Sequence, residues 1–311
     1  MQIGAYSHLV REDCKIQKLH TLLGPKHYEA NWLDLQKEGF LARVKCTEIW
    51  SEMHPKFYQK YLEYNLNLEK KKALYVSNPT KYLATLLLLE KHKGDKIIIF
   101  SDNLFTIKQY DTFLHYRQME GKFNISYGKI SGKTPAKERE RILKAFKSED
   151  EINVLLMTKV GDISIDIPNA NVIIQVSSHF GSRMQEAQRF GRILRPKKDA
   201  LSEYNAYFYT IVSKNTEEMK YSSKRHRFLV DQGYYFNIIT RLEEIFDNKS
   251  SEEAKEIVNN YEGDSNYHDY ADKTYRLIEE SEKIEVDYAD DKDSFNLLVD
   301  DEKEQIKANA E

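Results

Sequence analysis

Cysteine is nearly absent: Cys14 and Cys46 are the only two in 311 residues, they stand far apart, and no CxxC or Cys/His cluster occurs. That argues against a disulfide framework and a structural zinc site, and it suits a reducing compartment. Long apolar runs are lacking too. The longest, Leu83 to Leu89, is far too short to span a bilayer. The first residues, MQIGAYSHLVRED, hold no long apolar core of the signal-peptide kind. A phosphate loop is also missing. SGKT at 131–134 comes nearest, but the pattern needs glycine five residues before Gly132, and that position is Tyr127. A turn followed by a helix suits it better, with Thr134 as cap, Pro135 at the first helical position and Glu138 behind.

What is there is unevenly charged. From Leu242 onward the chain has 23 Asp and Glu against 8 Lys and Arg, so an overall −3 leaves +12 on residues 1–241. A basic body points to a polyanionic partner such as nucleic acid. The acidic stretch reads as a solvated, partly disordered tail over 241–311.

Hydropathy gives the order of elements. Tyr28 to Lys37 reads as a short helix and Phe40 to Trp50 as a strand. One helix and one strand bury no core, so residues 1–50 are expected to close a preceding, incomplete domain. Residues 51–77 form a helical insert rich in Tyr, Leu and Lys. A unit over 78–240 follows, opened by Asn78-Pro79. Its expected helices are Thr80–Lys93, Leu104–Arg117, Pro135–Lys147, 183–193 and Thr216–Val230, the last capped by Gly233. Its expected strands are KIIIF (96–100), Phe123–Tyr127, NVLLM (153–157), NVIIQV (171–176) and Ala206–Val212. Continuous β-branched runs alternating with helices argue an α/β fold with a parallel sheet covered on both faces. Ligands of such sheets sit at the strand carboxyl ends. That brings 101–103, 158–168 and 177–183 to one rim.

In QEAQRFGRILR (185–195), Gln188 and Arg192 share a helical face, and Arg192 and Arg195 are three apart. Two arginines on one rigid element suit a triphosphate, because a planar guanidinium clamps developing phosphoryl charge. A surface helix with ordinary polar contacts produces the same spacing.

KIIIFSDN, SGKTPAKERERILKAFK, NVLLMTKVGDISIDIPNANVIIQ and QEAQRFGRILRPKK, in that order, resemble the second RecA-like domain of superfamily 2 helicases. GPKHYEANW (24–32), SSHFGSRMQEAQRFGRILRPKK (177–198) and the stretch 203–236 are similar to the XPB family within it. The resemblance covers about 20–240. One departure is Ser164 in ISIDIP, where the wider superfamily has glycine; another is the lack of any phosphate loop or DExH box. The resemblance implies a RecA-like domain with a thumb-like insert. It implies the C-terminal half of a nuclear 3′-to-5′ DNA helicase, a subunit of TFIIH in transcription initiation and nucleotide excision repair. DNA, the missing N-terminal helicase half and other TFIIH subunits would be partners, with no membrane.

In such enzymes ATP and Mg²⁺ are held mainly by the other half, and the second domain supplies arginine fingers. By motif position Arg192 and Arg195 would be those fingers, and Gln188 would contact phosphate or couple the cleft to DNA. Asp166 and Arg189 lie near the nucleotide. Thr158, Lys159, Ser177, Ser178, Arg183 and Asn103 grip DNA phosphates. No protein metal ligand is expected. The insert aromatics Trp50, Phe57, Tyr58, Tyr61 and Tyr64 read as packing before base stacking, and Lys70, Lys71 and Lys72 as backbone contacts or a solvated face. The chain alone is expected to be inactive. Two other readings remain at this point: a truncated non-catalytic paralogue that binds DNA or TFIIH, and a remote phosphate-loop kinase built on SGKT.

Overall fold

The computed structural model describes residues 42–64, 67–121, 125–148, 151–158, 170–177, 204–231 and 236–281, together with Glu38, Phe40 and Tyr234. In chain order the elements are β1 (Val44–Ser51), α1 (Pro55–Glu63), α2 (Leu68–Val76), α3 (Pro79–Lys91), β2 (Ile97–Phe100), α4 (Leu104–Met119), β3 (Tyr127–Ile130) and α5 (Ala136–Lys147). They continue with β4 (Val154–Met157), β5 (Val172–Gln175), β6 (Ala206–Ser213), α6 (Glu218–Asp231) and β7 (Phe236–Ile239). A 3₁₀ turn (Leu242–Ile245), α7 (Ser251–Glu262) and α8 (Ser265–Glu280) follow.

The seven strands form one sheet in the order β3-β4-β2-β5-β6-β1-β7. Every pair in it is parallel. The expected fold class therefore holds. The central strands IIIF, VLLM and VIIQ are buried throughout, as a sheet covered on both faces requires. Alternation divides their side chains. Ile97, Ile99, Val154, Leu156, Val172 and Ile174 join the core under α3 and α4. Ile98, Phe100, Leu155, Met157 and Ile173 join Ile142 and Phe146 of α5 on the other face. Gly128 lets α5 sit close to β3, since a Cβ there would stand 2.6 Å from Ile142 Cγ2.

Two expectations change. Strand β1, expected to close a preceding domain, lies in this sheet and pairs with β6 over eight residues, Val44 opposite Ala206 through Ser51 opposite Ser213. Its pairing is entirely non-local, and alternation along one strand does not say which sheet it joins. The acidic stretch is not all tail. Residues 251–280 form α7 and α8, which bury Ala254 and Val258, and Tyr270, Ala271, Thr274 and Ile278. Their charged residues line outer faces while apolar ones recur every three or four positions. The helical insert consists of two helices, α1 and α2.

Smaller shifts concern ends. Strand β3 begins at Tyr127 instead of Phe123. Pro135 is the N-cap of α5 and makes no side-chain cap bond. Thr134 instead folds back on the turn: its Oγ1 accepts from Ser131 N at 2.9 Å, and its N–H donates to Ser131 O at 3.0 Å. SGKT is thus a closed turn. The helices expected at 28–37 and 183–193 and the Gly233 cap lie outside the described residues. Among the described residues no helix is long and apolar enough to cross a membrane.

Candidate functional site

All strands run the same way, so the exits of β1, β2, β4, β5 and β6 share one rim. A buried polar network ties four of these exits together. After β2, Asn103 Oδ1 accepts from Thr106 N at 3.1 Å and caps α4. Ser177, at the exit of β5, accepts from Asp102 N at 3.1 Å and donates to the Asp102 carboxylate. It also stands 2.7 Å from Ser101 Oγ. The other Asp102 oxygen receives Lys72 Nζ at 2.9 Å, in an ion pair whose side chains are 7% and 1% exposed.

A second buried pair lies beside it. Lys81 of α3 donates to Val176 O at 2.8 Å and stands 2.6 Å from Glu218 Oε2. Glu218 Oε2 accepts Ser213 N at 2.8 Å at the exit of β6. Ser213 Oγ donates to Tyr75 O at 2.7 Å. Asn78, between α2 and α3, donates to Glu52 O at 3.0 Å past β1 and to Ser213 Oγ at 3.2 Å. The carboxylates, ammonium groups and hydroxyls of this network all have partners, as burial demands. The joint between α2 and α3 is the hub of the network.

The expected phosphate contacts that are described are turned inward. Asn103 and Thr158 are fully buried, and Ser177 is 2% exposed. They brace the rim rather than face outward. Asn103 Nδ2 is buried without a hydrogen-bond partner among the described residues. Lys159, Ser178, Arg183, Asp166, Gln188, Arg189, Arg192 and Arg195 lie outside the described residues.

The insert behaves as packing. Phe57 and Tyr61 are buried with Ala73, Leu74, Tyr75, Val76 and Ile278. Tyr58 stacks on Tyr61 at 6.3 Å. Trp50 Nε1 donates to Glu48 at 2.6 Å, and Tyr64 donates to Glu279. The lysine run is a set of internal ties: Lys70 Nζ reaches Glu279 O at 2.9 Å, Lys71 stands 3.5 Å from Glu217, and Lys72 holds Asp102. Sequence reasoning missed Lys81 and Glu218, and it missed that Lys72 pairs with Asp102. The signal for Lys81 was present, as a cation on a helix otherwise reading YLATLLLL.

Another buried carboxylate, Glu48 of β1, faces α6. Ser222 donates to it, and His226 Nε2 stands 2.9 Å away. Burial pushes the Glu48 carboxyl up, but His226, Ser222 and Trp50 outweigh it and hold it below the ordinary glutamate range. A depressed folded pKa contributes stability that is full above the unfolded value and lost as pH falls through the folded one. Melting temperature should therefore drop as pH falls below about 4.3, the ordinary glutamate value. Glu48→Gln should flatten that drop while melting lower at neutral pH. Equal slopes for parent and variant would remove Glu48 from the acid response.

The ERCC3/RAD25/XPB C-terminal helicase family matches residues 35–294. The "General transcription and DNA repair factor IIH helicase/translocase subunit XPB" of Dictyostelium discoideum is 52% identical over 243 residues, covering 78% of this chain and 29% of that protein. The corresponding subunit XPB/SSL2 of Saccharomyces cerevisiae is 48% identical over 245 residues, covering 78% and 27%. The chain thus spans less than a third of the length of these relatives. Among solved structures, the C-terminal domain of the DEAD-box protein Dbp5 aligns with TM-score 0.45 and 14% identity, over 70% of this chain and 98% of that one. With a match that runs through β1, the insert, the whole sheet and α7–α8, the chain belongs to the ERCC3/RAD25/XPB C-terminal helicase family.

Proposed function

We propose that this chain is the C-terminal half of an ATP-dependent 3′-to-5′ DNA translocase, acting in the nucleus within TFIIH in promoter opening and nucleotide excision repair. The observation that carries this reading is the family match over residues 35–294, on a sheet whose strands all exit on one rim. ATP is cleaved between this domain and a second half that supplies the phosphate loop. Arg192 and Arg195 offset charge on the transferring phosphoryl group, and Gln188 contacts phosphate. Asp166 and Arg189 stand beside the nucleotide. ATP and Mg²⁺ are held mainly by that second half. Lys159, Ser178 and Arg183 grip DNA phosphates, backed by Ser177, Thr158 and Asn103.

With 242–281 folded onto the domain, residues 1–281 carry 43 Lys and Arg against 39 Asp and Glu, a net of +4 rather than the +12 of the body alone. DNA binding should accordingly be weak, indifferent to sequence and salt-dependent. It should fall by roughly 0.7 log units per log unit of salt for each single-strand phosphate neutralised. Purified chain should turn over little or no ATP. Affinity that stays flat as salt rises would contradict the DNA reading. Turnover as fast as that of intact relatives, and indifferent to Arg192, would sink the division into two halves.

A further inference from the structure

The polar network places two buried lysines on two successive residues at the exit of β5. Lys81 bonds the carbonyl of Val176 directly. Lys72 acts on Ser177 through Asp102, whose carboxylate is shared between the two, one oxygen each. Immediately after Ser177 the chain enters the stretch 178–203, which carries Arg183, Gln188, Arg189, Arg192 and Arg195. Lys72 belongs to α2, a helix of the insert, and not to the sheet domain proper. The insert is fixed at its other side as well: Lys60 stands 3.2 Å from Glu279 and Lys56 stands 2.8 Å from Asp272, both acids on α8.

Burying an ion pair costs desolvation, and an apolar pair of similar volume holds a core as well or better. What a shared carboxylate adds is direction. It fixes Ser177 relative to α2 and to the α4 cap at once, since Asn103 N donates to Ser101 Oγ and Ser101 touches Ser177.

We propose that Lys72 is a positioning residue: through Asp102 it sets where the chain leaves β5, and so ties the helical insert to the rim formed by the strand exits. The tie itself stands on geometry; its consequence for DNA rests on the proposed function.

The test uses the full chain with the double substitution Lys72→Met and Asp102→Leu, compared with Lys72→Met alone. Alone, Lys72→Met takes the lysine away from a buried carboxylate and should lower the melting temperature. The double variant removes both charges and should melt near the parent. Its affinity for an oligo-dT probe at low salt should nonetheless be about tenfold weaker, since the rim is no longer held in place. Its amide exchange should rise at 101–107 and 172–177 while β4 and β6 keep the parent's protection.

A double variant that binds and exchanges like the parent overturns the proposal. So does one that melts as low as Lys72→Met with exchange raised uniformly, which is the signature of a merely structural pair. Should the parent itself fail to bind oligo-dT, the proposed function fails, and exchange decides the tie alone. A rise confined to 101–107 and 172–177 then upholds it, and no rise or a uniform one overturns it.

Discussion

Deleting residues 250–311 should unfold this protein, although the region is the most acidic part of the chain. Helix α8 places Tyr270, fully buried, flat against Tyr82 at 4.2 Å with Phe113 edge-on at 5.1 Å. Tyr82 OH donates to Asn266 at 2.9 Å, and Arg117 stands 3.2 Å from Asp264. Ile278 seals the core of the insert. Each large side chain of this kind is worth about 1.5–3 kcal/mol on burial. The deletion removes Val258, Tyr270 and Ile278 and exposes Tyr82 and Phe113, against a total stability of about 5–15 kcal/mol. A point variant reads the same contact without truncation. Tyr270→Ala should cost about 3–5 kcal/mol, as other large aromatic deletions do, and lower the melting temperature by roughly 10 °C. A chain ending at Ser281 keeps every one of these contacts and is the reference. If 1–249 melted cooperatively near that reference, α7 and α8 would be appendages after all.

The acidic region shows which signals a sequence carries and which it hides. A charge count over seventy residues averages across helix faces, so it reports solvent and misses the buried stripe Tyr270, Thr274, Ile278. The central sheet was legible because IIIF, VLLM and VIIQ admit one environment only, covered on both sides. Helix starts were legible where a short polar side chain stands just before the first turn, as with Asn78 and Asn103, whose Oδ1 atoms accept from Thr80 N and Thr106 N. Thr134 misled because its hydroxyl serves the turn behind it instead of the helix ahead. The place of β1 was hidden because its partner strand lies more than 150 residues away.

At the candidate site, three lysines in a row read as DNA-backbone contacts or a solvated face, yet each finds a different partner across the fold. Runs of like charge give no hint of which member turns inward. The rim was legible as a place, because strand direction dictates it. Its inward-facing chemistry was not, because Asp102, Lys72, Lys81 and Glu218 meet only in three dimensions.

Replacing Arg192 or Arg195 by alanine should have the largest effect on function, once the chain is joined to a half that carries a phosphate loop. By the proposed mechanism both guanidinium groups stabilise charge that develops as the phosphoryl group transfers, and loss of such a finger costs about 10³-fold or more in turnover. ATP affinity should change far less, since that charge is small in the ground state. Arg→Lys should rescue poorly at either position, because an ammonium lacks the planar two-pronged donor. Arg183→Ala should separate from these two. It begins the same stretch, close in sequence to Ser177 at the rim, so it should weaken stimulation by DNA and leave basal turnover nearly intact. Steady-state ATP hydrolysis of the three variants, with and without DNA, decides the matter. If Arg183→Ala abolished basal turnover while Arg192→Ala left it unchanged, the assignment of nucleotide and DNA faces would be reversed. If all three matched the parent, QEAQRFGRILR would be an ordinary polar helix, and the catalytic reading of this segment would fall.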